Sequence, residues 1–170
     1  MKNRVKIGLL LSCSLVGLAA LTLRPAGAEH FDCILRVEAP HSQGEAGSDT
    51  TPPLGGVNPR PVVKAKVGED VHITWKMKNA FPHGTMKKVT IHFFVVKEAK
   101  TGQKPVPDPA GAAGIVDNSF VMDFEPNAAA TGALRLKFTD PGSYLVRVQS
   151  EDTHQEHDHE HFSAIDVEVE

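Results

Sequence analysis

From residue 30 onward the chain is dominated by stretches in which apolar and polar residues alternate, separated by Gly, Pro, Asn and Asp. Side chains in an extended strand point to opposite faces in turn, so a period of two with turn residues between the runs predicts half-buried β-strands. The alternation predicts strands at about 30–38, 61–67, 70–78, 87–97, 118–125, 132–138, 142–150 and 161–169, and no helix. Within them Val71, Ile73, Trp75 and Met77 share one face, while His72, Thr74, Lys76 and Lys78 share the other. By the same parity Phe31, Cys33, Leu35 and Val37 point inward, as do Ile91, Phe93 and Val95, then Leu134, Leu136 and Phe138. Tyr144, Val146 and Val148, followed by Ile165, Val167 and Val169, complete the interior. Two antiparallel sheets packed face to face bury all of these, so the expected fold is an all-β sandwich of about 7–8 strands.

Two stretches break the rhythm, residues 39–60 and 99–117, both rich in Pro, Gly and small polar residues. Neither carries enough apolar surface for a core of its own. The first is expected to be a connection after an N-terminal strand, and the second a long crossing between sheets. The chain thus divides into residues 29–60, an N-terminal strand with its Pro/Gly-rich connection, and residues 61–170, the sandwich proper.

The first 28 residues differ in kind. Basic MKNRVK precedes the apolar run IGLLLSCSLVGLAALTL, and Ala26-Gly27-Ala28 has the small-residue form of a processing site. That is the pattern of a cleaved secretory signal peptide, residues 1–28, and it implies a periplasmic or secreted protein of a bacterial envelope. No other segment is long and apolar enough to form a membrane helix. The full chain holds 18 basic and 21 acidic residues, and all four charges of the first 28 are basic (Lys2, Arg4, Lys6, Arg24). The mature part is therefore acidic by seven charges, which disfavours a nucleic-acid partner. Cys13 departs with the signal peptide, leaving Cys33 without an intrachain partner and, by parity, inside.

In TDPGSYLVRV, the spacing of Asp140, Gly142 and Tyr144 resembles the tyrosine corner of immunoglobulin-like (Ig-like) domains. VGEDVHITW is similar to the start of that family's strand B: Gly68, Val71 and Ile73 are in step, and Trp75 and Val146 stand where antibody domains carry their two cysteines. Phe93 stands in for the absent strand-C tryptophan. The resemblance implies an Ig-like β-sandwich over residues 61–169 and says little about function, because such sandwiches are generic scaffolds. Pro141, Gly142 and Tyr144 ahead of a histidine-bearing loop are also similar to cupredoxins. That loop lacks the Cys and Met of a blue-copper site, so no such centre is expected.

Candidate chemistry concentrates in HQEHDHEHF, residues 154–162. If strands 142–150 and 161–169 form a hairpin, this segment is its tip, where a rigid scaffold presents function. Alternate residues of an extended segment share a side, about 6–7 Å apart, close enough for two imidazoles to hold one ion. His157, His159 and His161 have that spacing and His154 precedes them. Asp158 and Glu160, with Glu151, Asp152 and Glu156, add a negative potential that attracts divalent cations and supplies carboxylate ligands. His30 would stand beside the free α-amine of Glu29 after cleavage, a pair suited to Cu(II). The expected ligand is a divalent transition metal, Cu(II), Zn(II) or Ni(II), set against the plainer reading of a hydrated acidic turn or a pH-responsive contact.

His72 and His92 face outward and would meet only if their strands formed a simple hairpin; His41 and His83 fall in loops. TIHFFVVKE is apolar on both faces, so Phe94 and Val96, with Leu145 beside them, form either an exposed patch that binds another envelope protein or a surface covered by the 99–117 insertion. The chain carries no nucleophile elbow, phosphate loop or HExxH pair, so a non-enzymatic binding role is expected.

Overall fold

The computed structural model describes residues 31–47, 60–80, 83–102, 114–151 and 161–170. These form nine strands and no helix: β1 Phe31–Ala39, β2 Ser42–Ala46, β3 Val62–Ala65, β4 Val71–Asn79, β5 Met86–Glu98, β6 Gly114–Phe124, β7 Ala129–Leu136, β8 Gly142–Glu151 and β9 His161–Val169. They make two sheets, one in the order β2-β1-β4-β7 and one in the order β3-β9-β8-β5-β6. All neighbours pair antiparallel except β3 with β9, which run parallel.

The inward residues expected from parity make the core. Phe31, Leu35, Ile73, Met77, Ile91, Val146 and Ile165 are fully buried, and β1 packs across the sandwich onto β8 and β9. Leu134 and Leu136 are only partly buried, because β7 is an edge strand with a neighbour on one side. Tyr144 donates its hydroxyl to Asp140 O at 2.8 Å and packs its ring 4.5 Å from that of Phe138, which ties the start of β8 to the preceding bend.

Three expectations change. Residues 42–46 belong to the fold: β2 pairs with β1 from Leu35↔Ala46 to Ala39↔Ser42. Its SQGEA sequence has little to bury, and Gly44 has no room for a side chain, since a Cβ there would stand 2.9 Å from Val63 Cγ2. β1 itself lies between β2 and β4, so the sandwich starts well ahead of residue 61. Strand β6 begins at Gly114, inside the stretch expected to be a loop.

Candidate functional site

The register brings several chain segments to one end of the sandwich. Phe31, the first residue of β1, pairs with Asn79, the last of β4. Met86 pairs with Phe124, Thr90 with Glu151, and Ser150 with His161. The start of β1, the end of β4 and start of β5, the end of β6 and start of β7, and the end of β8 and start of β9 therefore all lie at this end. Asn79, fully buried, stitches its floor together: the side-chain amide donates to Gly84 O (2.9 Å), Phe124 O (3.2 Å) and Glu125 O (3.2 Å). Thr85 Oγ1 donates to Glu125 Oε2 at 2.9 Å, joining the β4–β5 and β6–β7 connections a second time.

His161 does open the last strand, but it faces inward, on the parity of Ser163, Ile165 and Val167. It is 5% exposed, with its ring 5.9 Å from that of Phe31, which in turn stands edge-on to Phe124 at 5.1 Å. His161 is thus part of the floor of this end. His157 and His159, with His154, Asp158, Glu160 and His30, lie outside the described residues. Among the described residues no group of three or more His, Cys, Asp or Glu side chains is arranged to hold a metal ion.

One residue the sequence gave no reason to choose is His83. It is exposed in the β4–β5 connection and therefore at the same end as the start of β1, the end of β8 and the start of β9. Its position depends on the pairing of distant strands, which local pattern cannot reveal. His72 and His92 lie on the outer faces of different sheets and do not meet. His92 Nε2 instead approaches Asp117 Oδ1 at 2.6 Å, with its ring 4.9 Å from that of Phe94.

Cys33 sits two residues into β1 with no exposed surface. Burial pushes its thiol up to about 12, opposed by a hydrogen bond with Ser163, so it stays protonated and is a poor ligand. Ser163 Oγ is within 2.8 Å of both Cys33 O and Gly47 O, fastening β9 across the sandwich to the β1–β2 sheet.

The suspected partner surface is closed. Phe94 is 1% exposed, and Val96 and Leu145 are wholly buried; with Ala164 they form a second, small apolar cluster on the outer side of the five-stranded sheet. Beside the cluster lies an ionic knot that local pattern also hides. Arg60 Nη2 donates to Glu98 Oε1 and Oε2 at 2.8 and 2.9 Å, and Arg60 Nε stands 2.6 Å from Asp166 Oδ1. The Glu98 and Asp166 side chains are 0% and 1% exposed. Gly102 N donates to Asp166 Oδ2 at 2.7 Å, and Thr101 Oγ1 meets Ser143 Oγ at 3.2 Å, so the first residues of the 99–117 insertion do cross this face. Burial pushes the Asp166 carboxyl above its ordinary range, opposed by Arg60 and by the Gly102 N–H.

The opposite face, on the four-stranded sheet, carries an open groove of about 430 Å³ lined by Ile34, Arg36, Thr74, Trp75, Lys76 and Thr131 among others. Arg36 is already engaged there by Glu38, 2.7 Å away.

No protein-family model and no curated protein matches the chain. Among solved structures it is similar to the C-terminal domain of wzt, at 8% identity over 80% of this chain and 70% of that one, with a TM-score of 0.40. It is also similar to a CBM33 polysaccharide monooxygenase studied by X-ray photoreduction, at 13% identity over 65% of this chain and 60% of that one, with a TM-score of 0.35. At such identities neither neighbour lends the chain a function.

Proposed function

We propose that the chain is an exported, non-enzymatic binding protein of a bacterial envelope that holds Cu(II), Zn(II) or Ni(II) at the end of its sandwich where β1 begins. The ligands are drawn from His154, His157 and His159, with Asp158 and Glu160, joined for Cu(II) by His30 and the amine of Glu29 after cleavage. The observation that carries this reading is the contact between Phe31 and His161. His30 is the chain neighbour of Phe31, and the histidine-rich segment ends at His161. That ring contact supports the reading because Phe31 and His161, the chain neighbours of the two candidate donor groups, stand together. Tethering the segment at the paired Ser150 and His161 raises the local concentration of imidazoles there. Neutral imidazole nitrogens suit these metals, and the five acids of residues 151–160 add the negative potential a dication requires.

The finer reading of the fold as Ig-like is supported by two features. The five-stranded sheet has its first strand parallel to its last, as β3 lies on β9, and the Tyr144 hydroxyl reaches back to Asp140 O as in a tyrosine corner. Burial of Phe94, Val96 and Leu145 counts against the competing role as a module that docks another envelope protein through that face.

Calorimetric titration of the chain processed after Ala28 with Cu(II) and Zn(II), beside a variant in which His154, His157 and His159 are Ala, tests the proposal. The expected result is a loss of at least about ten-fold in affinity for the variant, and a further loss confined to Cu(II) on His30→Ala. Equal weak binding by both proteins overturns it.

A further inference from the structure

Strand β6 is an edge. It pairs with β5 on one side, and among the described residues nothing pairs with the other. At 11 residues it is about twice the usual strand length, and 8 of its residues from Gly114 to Asp123 are exposed. Ile115 is 45% exposed, Phe120 36% and Val121 61%. It contains no Pro or Lys, the residues that commonly blunt a free edge, and its charges are Asp117 and Asp123 alone. Both acids are engaged within the molecule, Asp117 by His92 and Asp123 by the backbone N–H of Lys88. A long, apolar, open edge is a template for strand addition.

We propose that a second copy of the chain occupies this edge, its β6 running antiparallel to the first about a two-fold axis through Ser119. This surface lies apart from the metal reading and does not depend on it. The choice of a second copy rests on the sequence of β6, GIVDNSFVMDF, which is self-complementary in that register. Asp117 then stands opposite the partner's Val121, Ile115 opposite Asp123, Val116 opposite Met122 and Asn118 opposite Phe120, so no two like charges meet. An axis through Phe120 would set Asp117 against Asp123, and parallel in-register pairing would set each acid against itself, both unfavourable. An axis through Asn118 shortens the ladder. In the favoured register Phe120, stacked 6.0 Å from Trp75 at the open side of the core, is covered, and two five-stranded sheets become one of ten strands.

Sedimentation of the full chain between about 1 and 200 µM reads the association directly. The expected result is a dimer that Val121→Asp, which faces Asp117 of the other copy with a like charge, weakens by at least about ten-fold. Val121→Lys, facing the same acid with an opposite charge, retains the dimer. In a Cys13→Ser background, Ser119→Cys is expected to form a disulfide-linked dimer under mild oxidation, because residues opposite each other on the axis lie about 5 Å apart. Ile115→Cys is expected not to do so, since its two copies would stand about 27 Å apart. A monomer throughout the concentration range overturns the proposal. So does a dimer indifferent to the charge at position 121, or one that cross-links as readily at 115 as at 119.

Discussion

Gly132 is the position at which a single methyl group should be felt most. It pairs with Trp75 across β4 and β7, and the indole stands close against the position a side chain would take. A Cβ at residue 132 would come within 3.0 Å of three indole atoms, Cε2, Nε1 and Cζ2, closer than real side chains pack. Either β7 moves out or the ring swings away from Phe120, on which it is stacked. Forcing an extra carbon into a packed site costs about 1–3 kcal/mol, and losing the aromatic pair about 0.5–1.5 kcal/mol more. Against this, Gly→Ala reduces the freedom of the unfolded chain, worth about 0.4–1 kcal/mol. The balance for Gly132→Ala is a destabilisation of about 2 kcal/mol, or a fall in Tm of about 4–8 °C for a chain of this size. The chain contains one tryptophan, so indole fluorescence during urea unfolding reads both stability and the ring's surroundings, with far-UV circular dichroism as the second probe. Gly47→Ala, with nothing within 4 Å of the added carbon, is the control and is expected to stay within about 0.5 kcal/mol of the parent. An alanine at 132 that leaves both stability and emission unchanged would refute the argument from close approach.

Other substitutions probe the remaining fastenings. Arg60→Met strips the cation from two buried carboxylates, Glu98 and Asp166, and is expected to cost about 3–5 kcal/mol in urea denaturation. Tyr144→Phe removes the hydroxyl donated to Asp140 O and is expected to cost about 1 kcal/mol by the same measurement. The folded-state pKa of Cys33 is raised from 9.0 to about 12, so the stability this thiol contributes is complete below pH 9 and drains away as pH climbs toward 12. The stability difference between the parent and Cys33→Ala should therefore shrink by about 1.4 kcal/mol per pH unit above 9. A constant difference across that range would contradict it.

How far the sequence could be read depends on how local each feature is. Most strands announce themselves because their inward residues recur every second position and are the buried ones, as in β1, β3 and β4, whereas β6 is exposed along most of its length. Parity also carries the orientation of His161, which is in step with Ile165 and Val167. Strand β2 is not legible in the sequence because SQGEA has almost nothing to bury and is ordered by its pairing with β1. Phe94 and Val96 do point away from the core, yet their burial is decided by what lies over the sheet, which alternation cannot report. The Arg60 knot joins residues 38 apart in the pair with Glu98, and further still with Asp166, so no window of sequence displays it. Likewise His83 gains interest only once β1, β4, β8 and β9 are seen to share an end.

The place of β9 has a consequence for how the polypeptide comes into being. This last strand is interior to its sheet, held by β3 on one side and β8 on the other, and it carries Ser163, which reaches the opposite sheet. Until residues 161–169 have left the ribosome, β3 has no neighbour in that sheet and β8 lacks one of its two. Vectorial synthesis therefore cannot complete the domain early, and a nascent chain remains open to chaperones and proteases until residues 161–169 emerge. A stop codon placed just ahead of His161 removes a keystone, and most of the chain upstream loses its fold with it.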